Sequence, residues 1–136
     1  MRGHEADANF DIITDAAARI DPKNRKLTGV IYQWCHLCDE EHRASDRQFM
    51  HVFHHPKVVC VSSSGLCRLS SHQFCGLVCH ELGHMLAGKR ASEERADQAA
   101  EAFFRVKIRY DKKRIQYLTI EDMLRLVKLA EQYWDQ

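Results

Sequence analysis

Residues 80–84 read His-Glu-Leu-Gly-His, which is the pattern H-E-x-x-H. On an α-helix, residues four positions apart project from nearly the same face, so both imidazoles can reach one metal ion. Imidazole is a common ligand of tetrahedral zinc. Glu81 lies about a third of a turn from His80, where its carboxylate can contact a water at the metal. The spacing therefore predicts zinc on His80 and His84, with Glu81 as a general base.

A catalytic zinc needs a third protein ligand and a fourth position that is open to water. Residues 92–97 read Ser-Glu-Glu-Arg-Ala-Asp and offer three carboxylates at the start of a predicted helix. Helical spacing puts Glu93 and Asp97 at the buried margin of the apolar face and Glu94 on the polar face. We predict Glu93 as the third ligand and Asp97 as the acceptor of the outer N–H of a ligating histidine. In the alternative interpretation, Asp97 is the third ligand. Glu93 would then be an acidic residue in the first turn of the helix, where the helix dipole favours a negative charge.

The elements that must position these residues follow from apolar spacing and turn signals. The third predicted strand is a short apolar run, and Ser70 and Gln73 have the spacing of a capping box at the start of the H-E-x-x-H helix. Gly88 is the predicted end of that helix. The predicted order is helix 10–20, strands 27–34, 49–53 and 58–61, helix 70–87, helix 92–108 and a last helix from Thr119. This order is typical of an α+β fold.

Residues 58–69 lead directly into residues 74–84, and together they resemble a known arrangement. They look like the strand, G-L-L turn and H-E-x-x-H helix of HtpX-like and CAAX-processing zinc peptidases. The third ligand of those families lies in an E-x-x-A-D motif, and residues 93–97 have that form. The resemblance covers about residues 48–104. It implies a gluzincin peptidase with zinc on His80, His84 and Glu93, and with Glu81 as the catalytic base.

Two features set the chain apart from those families, which are usually membrane proteins with a longer insertion between the second histidine and the glutamate. The short insertion here more resembles the compact soluble minigluzincins or the ImmA/IrrE-type peptidases. We therefore expect residues 1–136 to form a single zincin-like domain. In that domain a small three- to four-stranded sheet packs on the active-site helix, which is followed by two further helices.

The expected function is that of a zinc-dependent endopeptidase with one zinc per chain and a protein or peptide substrate. The alternative is a non-catalytic or partner-specific regulatory zinc protein of the ImmA/IrrE type, in which the zinc is mainly structural. By resemblance and position, an extended substrate is expected to pair with a strand edge at residues 48–53. A second donor to the developing oxyanion is expected, and Tyr110, His72 and Arg109 are candidates among which the sequence does not choose.

The remaining cysteines and histidines allow several interpretations. Cys35 and Cys38 form a C-x-x-C pair near His42, which is a candidate half of a second, structural zinc site. Such a loop thiolate could alternatively block the open position of the first zinc. Buried packing as small hydrophobic residues is the simpler interpretation for other cysteines, and surface or core positions are the simpler interpretation for three histidines. The cysteines meant are Cys60, Cys75 and Cys79, and the histidines are His51, His54 and His55. Cys60 or Cys67 could alternatively complete the second zinc site with Cys35 and Cys38.

Composition excludes several classes of protein. The chain has 136 residues, with 45% hydrophobic and 29% charged residues, which fits one ordinary globular domain. Twenty basic and nineteen acidic residues leave a net charge of +1, which gives no reason to expect a nucleic-acid or acidic-membrane partner. The basic run at 105–114 is expected to be a solvated helix end. Without a secretory signal or an apolar run near the ~20 residues of a membrane helix, a cytoplasmic location with reduced thiols is expected.

Overall fold

The computed structural model describes residues 1–34 and 49–134, which fold as an α+β structure. Within these residues, five helices surround a three-stranded sheet and a two-stranded hairpin. In chain order the elements are α1 (Gly3–Ile20), β1 (Ile31–Trp34), β2 (Met50–His54), β3 (Lys57–Val61), the one-turn α2 (Ser63–Leu66), α3 (Ser71–Ala87), α4 (Glu93–Phe104), β4 (Arg109–Tyr110), β5 (Gln116–Tyr117) and α5 (Ile120–Trp134). The predicted fold class is thus confirmed.

The larger sheet has the strand order β1-β3-β2. β3 is the central strand and is buried from Val58 to Val61, as expected for the apolar run. β1 pairs with it in parallel and β2 pairs with it antiparallel, with Val52 opposite Val59. Among the described strands, β2 is therefore left at an edge of the sheet, and it contacts α3.

The H-E-x-x-H helix α3 begins and ends where the sequence predicts. The Ser70 hydroxyl accepts the backbone N–H of Gln73 at 3.2 Å, and the Gln73 side chain accepts the backbone N–H of Ser70 at 2.9 Å. This capping box satisfies backbone donors that a helix start leaves free. Gly88 ends the helix with a φ of 109°, which glycine adopts without steric cost. α3 is buried continuously from Phe74 to Gly83, so it is the central helix of the core.

The predicted boundaries of three elements are wrong. α1 begins at Gly3, well before residue 10, and β1 covers only the end of the predicted strand 27–34. α4 ends at Phe104 and does not reach Ile108, because Arg105 has a left-handed φ of 57°. Beyond it, side chains replace helical carbonyls as acceptors: Ile108 N–H donates to Glu101 Oε2 at 3.0 Å. The basic run at 105–114 therefore lies on a turn and a hairpin, and the expectation of a helix end is wrong.

The β4–β5 hairpin packs closely against the first half of α3. A β-carbon at Gly76 would lie 2.5 Å from Tyr117 Cα, so only glycine allows this approach. Gln73 Nε2 donates to Asp111 Oδ2 at 2.8 Å, and Leu118 N–H donates to the His72 carbonyl at 3.0 Å. The hairpin is thereby fixed on the helix that carries the two histidines. None of the helices in the described part of the chain is long and apolar enough to cross a membrane.

Candidate metal centre

His80, His84 and Glu93 form a group that could hold a metal ion. The two histidines lie one turn apart on α3, and Glu93 is the first residue of α4. One ligand atom from each residue lies within 4.8 Å of the other two. Glu93 Oε2 is 2.5 Å from His80 Nε2 and 3.3 Å from His84 Nε2. The structure thus brings together the three residues that the sequence singles out.

The distances within this group suit a small tetrahedral ion. Bonds of about 2.0 Å to nitrogen and oxygen place two ligand atoms of a tetrahedron about 3.3 Å apart. The Glu93–His84 pair already has that separation, whereas the Glu93–His80 pair is closer and would have to open. The two imidazole planes are nearly perpendicular, at 86°, with centroids 4.8 Å apart. Small side-chain movements would therefore complete a site of two nitrogens and one oxygen.

The Glu93 side chain differs from the prediction in its exposure. The expected position was a buried margin of the helix, but the side chain is 76% exposed. Glu93 is at the rim because it occupies the first turn of α4, directly after the N-cap Ser92. Its carboxylate end reaches over the two histidines, while the neighbouring Glu94 is also exposed and makes only a 3.5 Å contact with Gln98.

His80 is buried and is held by two carboxylates. Its Nδ1–H donates to Asp97 Oδ1 at 2.6 Å, and its Nε2 faces Glu93 Oε2. Burial alone lowers the pKa of an imidazole, but here the Asp97 hydrogen bond and the charges of Glu81, Asp97 and Glu93 outweigh it and raise the pKa of His80. The carboxylate contacts of both ring nitrogens thus favour the charged form of His80 in the metal-free protein. Asp97 lies where the sequence predicts a carboxylate that orients a ligating histidine.

Glu81 lies in the buried floor of the site, with 8% of its surface exposed. Burial raises its pKa from 4.5 to about 8. The His80 imidazolium opposes this shift, and the charges of Glu93 and Asp97 add to it. A carboxyl group with a pKa near neutrality can both accept and return a proton, which is the property that general acid–base chemistry requires.

Asp97 has a second hydrogen-bond partner, which the sequence does not predict. The hydroxyl of Tyr110, from β4, donates to Asp97 Oδ2. Burial, followed by this hydrogen bond and the nearby negative charges, raises the pKa of Tyr110. A chain of hydrogen bonds thus runs from Tyr110 through Asp97 to His80. No sequence signal links residues 97 and 110, because only the hairpin brings them together.

Gly83, inside the H-E-x-x-H segment, sets the distance between the two site helices. A β-carbon at this position would lie 2.1 Å from the Ala96 carbonyl oxygen and 3.1 Å from Ala100 Cβ. The absence of a side chain lets α4 lie directly against α3, so that Glu93 and Asp97 reach the two histidines. This role was not predicted from the sequence, although a glycine inside a buried helix is a recognisable signal of close approach.

The metal group lies in an open cleft of about 480 Å³. One wall is the edge strand β2, from which Met50, Val52 and His54 line the cleft, and Lys89 and Gln116 line it elsewhere. His54 was expected to be a surface or core histidine, and its position beside the metal group had no signal in the sequence.

The three candidate oxyanion donors, Tyr110, His72 and Arg109, do not line the cleft that holds the metal group. His72 Nδ1 is 3.0 Å from the Leu118 carbonyl, and the hydroxyl of Tyr110 is bound to Asp97. Arg109 is exposed on β4. Among the described residues that line the cleft, none of these three is present.

The remaining site predictions fall into two groups. Cys60, Cys75 and Cys79 are buried, as the simpler interpretation expects, and Cys67 is exposed. Burial raises the pKa of Cys75 to about 12 and that of Cys79 well above its ordinary value. The candidate second zinc site at Cys35 and Cys38, with His42, and the start of the expected substrate edge at Gln48 lie outside the described residues.

No protein-family model, curated protein or solved structure matches this chain. The resemblance to gluzincins therefore stays a prediction from sequence motifs, and the case for the site rests on its geometry.

Proposed function

We propose that this chain is a zinc-dependent metallopeptidase with His80, His84 and Glu93 as ligands and Glu81 as the general base. The observation that carries the proposal is the convergence of these three ligand atoms in an open cleft, directly beside a buried glutamate. A purely structural zinc would need neither the open cleft nor a carboxyl group with a raised pKa.

Zinc, when bound, supplies a Lewis acid that polarises the substrate carbonyl and increases the acidity of a water molecule. Each protein group then has a separate task. Glu81 takes a proton from the attacking water and passes it to the leaving amine. Asp97 keeps the proton of His80 on Nδ1, which leaves Nε2 free to bind metal.

The edge strand β2 supports a peptide as the substrate. Among the described strands, β2 pairs with β3 alone, and it lines the cleft. An extended peptide can add to such an edge through main-chain hydrogen bonds, which would align one of its carbonyls with the metal group.

Metal content and peptide hydrolysis, measured on the same preparations, test this proposal. We expect one zinc per chain in the wild type and in Glu94→Ala, and none in Glu93→Ala. Glu94→Ala is the matched control because it removes an adjacent, exposed carboxylate. Glu81→Gln should retain zinc and lose about 10²–10⁴-fold in peptide hydrolysis.

Two results would contradict the proposal. The first is the absence of zinc from wild-type protein expressed with supplemented zinc. The second is hydrolysis by zinc-loaded Glu81→Gln at the wild-type rate. Zinc binding without hydrolysis of any peptide would instead favour the regulatory alternative.

A further inference from the structure

The cleft around the metal group has chemically different ends. His54 is the last residue of β2 and interacts electrostatically with His84 and Lys89, so these three residues mark one end. Leu77 lies on α3 one turn before His80, near the hairpin residue Gln116, and these two mark the other end. The first end carries basic groups, and the second carries an apolar and an uncharged polar side chain.

Lys89 is a cation at the first end of the cleft. It follows the helix-ending Gly88 and is exposed, yet it lines the cleft. Among the described residues, no carboxylate lies within the 4 Å of its ammonium that an ion pair requires. Two described acidic side chains line the cleft: Glu81 is buried and Glu93 is exposed, and metal binding would engage the Glu93 carboxylate.

His54 adds a hydrogen-bond donor beside this cation. Burial lowers the pKa of His54, and the nearby positive charges of His55, His84 and Lys89 lower it further. An imidazole ring carries at least one N–H that it can donate. No described residue accepts that N–H. A cation and a free donor that converge at one end of a cleft are the usual partners of a carboxylate.

We propose that Lys89 and His54 bind a carboxylate of the peptide substrate next to the scissile bond. The inference rests on the proposed function, because it assigns a substrate class to the same cleft. The carboxylate is either an Asp or Glu side chain or the free C-terminus of the peptide, and both offer the same two oxygens to the ammonium and the imidazole. A metal cation at His80, His84 and Glu93 makes this end more positive and strengthens the preference.

Peptide binding to zinc-loaded Glu81→Gln, followed by fluorescence anisotropy, tests the proposal without relying on catalysis. The probes are short peptides, acetylated and amidated, that carry one Asp at successive positions. Each has an Asn counterpart, and one Asn peptide also has a free C-terminal carboxylate. We expect one carboxylate position to tighten binding about tenfold, as a single partly desolvated ion pair can.

Substitutions of the adjacent residues Lys89 and Arg90 distinguish a specific contact with the carboxylate from general electrostatic attraction. Lys89→Gln should reduce the ratio between acidic and neutral peptides to about one. Arg90→Gln, which removes an exposed charge outside the cleft lining, should leave that ratio unchanged. Tighter binding of an Asp peptide identifies an acidic side chain, and tighter binding of the free-acid peptide identifies the C-terminus.

Equal affinity for acidic and neutral peptides would overturn the proposal. A preference for acidic peptides that Lys89→Gln retains would also overturn it, and so would a failure of all the peptides to bind. Failure of the proposed function has a different signature. In that case the peptides would still be discriminated, but the zinc-loaded wild type would cleave none of them.

Discussion

Gly83 of α3 lies directly against the carbonyl of Ala96 in α4, so that even a β-carbon at position 83 would be only 2.1 Å from that oxygen. The next residue after Gly83 is the proposed ligand His84, and the next after Ala96 is Asp97. The closest contact between the two helices is therefore flanked by site residues on both sides. The position of the carboxylates relative to the histidines depends on this contact.

Gly83→Ala should force α3 and α4 apart. We expect the free energy of unfolding to fall by about 1–3 kcal/mol, which is typical of overpacking in a core. Zinc affinity should fall as well, because Glu93 and Asp97 would move away from the histidines. Denaturant unfolding and competitive zinc titration measure the two effects.

Gly3→Ala is the matched control for that variant. Its β-carbon would lie 3.5 Å from the Trp34 ring, at ordinary van der Waals contact, so stability should be unchanged or slightly higher. If Gly83→Ala were as stable as Gly3→Ala and bound zinc normally, the close approach would not be needed for the site.

Zinc binding should release a proton from His80. In the metal-free protein His80 Nε2 lies 2.5 Å from Glu93 Oε2, a separation that requires a proton between the two atoms, and a ligand nitrogen must lose that proton. Calorimetric zinc titrations in buffers with different ionisation enthalpies should therefore give different apparent heats. Identical heats in all buffers would show that His80 is already neutral.

Asp97→Asn should reduce both the proton release and the zinc affinity. The variant replaces the acceptor of the His80 Nδ1–H by a neutral amide, which removes the largest contribution that raises the pKa of His80. Loss of such a supporting carboxylate typically weakens metal binding about 10–100-fold. Unchanged zinc affinity would mean that Asp97 does not orient the ligand.

Tyr110→Phe should have a smaller effect in the same direction. It removes the hydroxyl that donates to Asp97 Oδ2 but leaves the contact between Asp97 and His80 intact. A single hydrogen bond to a charged acceptor corresponds to a loss of about tenfold in zinc affinity. Tyr117→Phe, in the paired strand β5, is the control, and an equal loss in that variant would point to the hairpin as a whole.

The metal-free protein should become less stable as the pH rises from about 4.5 to about 8. Glu81 ionises near 4.5 in the unfolded chain and near 8 in the folded one, so the folded state holds an extra proton between these values. Its stabilising contribution is complete below the lower pKa and is lost as the pH passes the higher one, at roughly one kcal/mol per pH unit. Denaturant unfolding at several pH values measures it.

Glu81→Gln is the comparison that isolates this group, because His80 also takes up a proton on folding. The metal-free variant should show a weaker dependence of unfolding free energy on pH than the metal-free wild type. Parallel pH dependences in the two proteins would assign the effect to other groups.

Local rules were sufficient for the histidine part of the site. The helical period places His80 and His84 on one face, and the Ser70–Gln73 capping box sets the start of their helix. Both follow from residues three or four positions apart, which sequence spacing describes directly.

The rest of the site depends on contacts between distant elements. Tyr110 reaches Asp97 only because the chain leaves the helix at Arg105, and spacing alone favoured a longer helix. His54 lies in the cleft because β2 happens to be the edge strand, which depends on the order of pairing and not on the strand's own residues. Neither tertiary relationship is encoded in a local pattern.

The turn between Ala87 and Glu93 has a consequence for how the chain folds. Among the described residues, the hydrogen-bonding partners of His80 lie within 17 residues of it along the chain, so helices α3 and α4 close only a short loop when the site forms. The parallel pairing of β1 with β3, by contrast, joins residues 27 positions apart, as between Ile31 and Val58. Contacts of short sequence separation form early. The α3–α4 pair that carries the candidate metal group is thus a local folding unit, able to assemble before β1 pairs with β3.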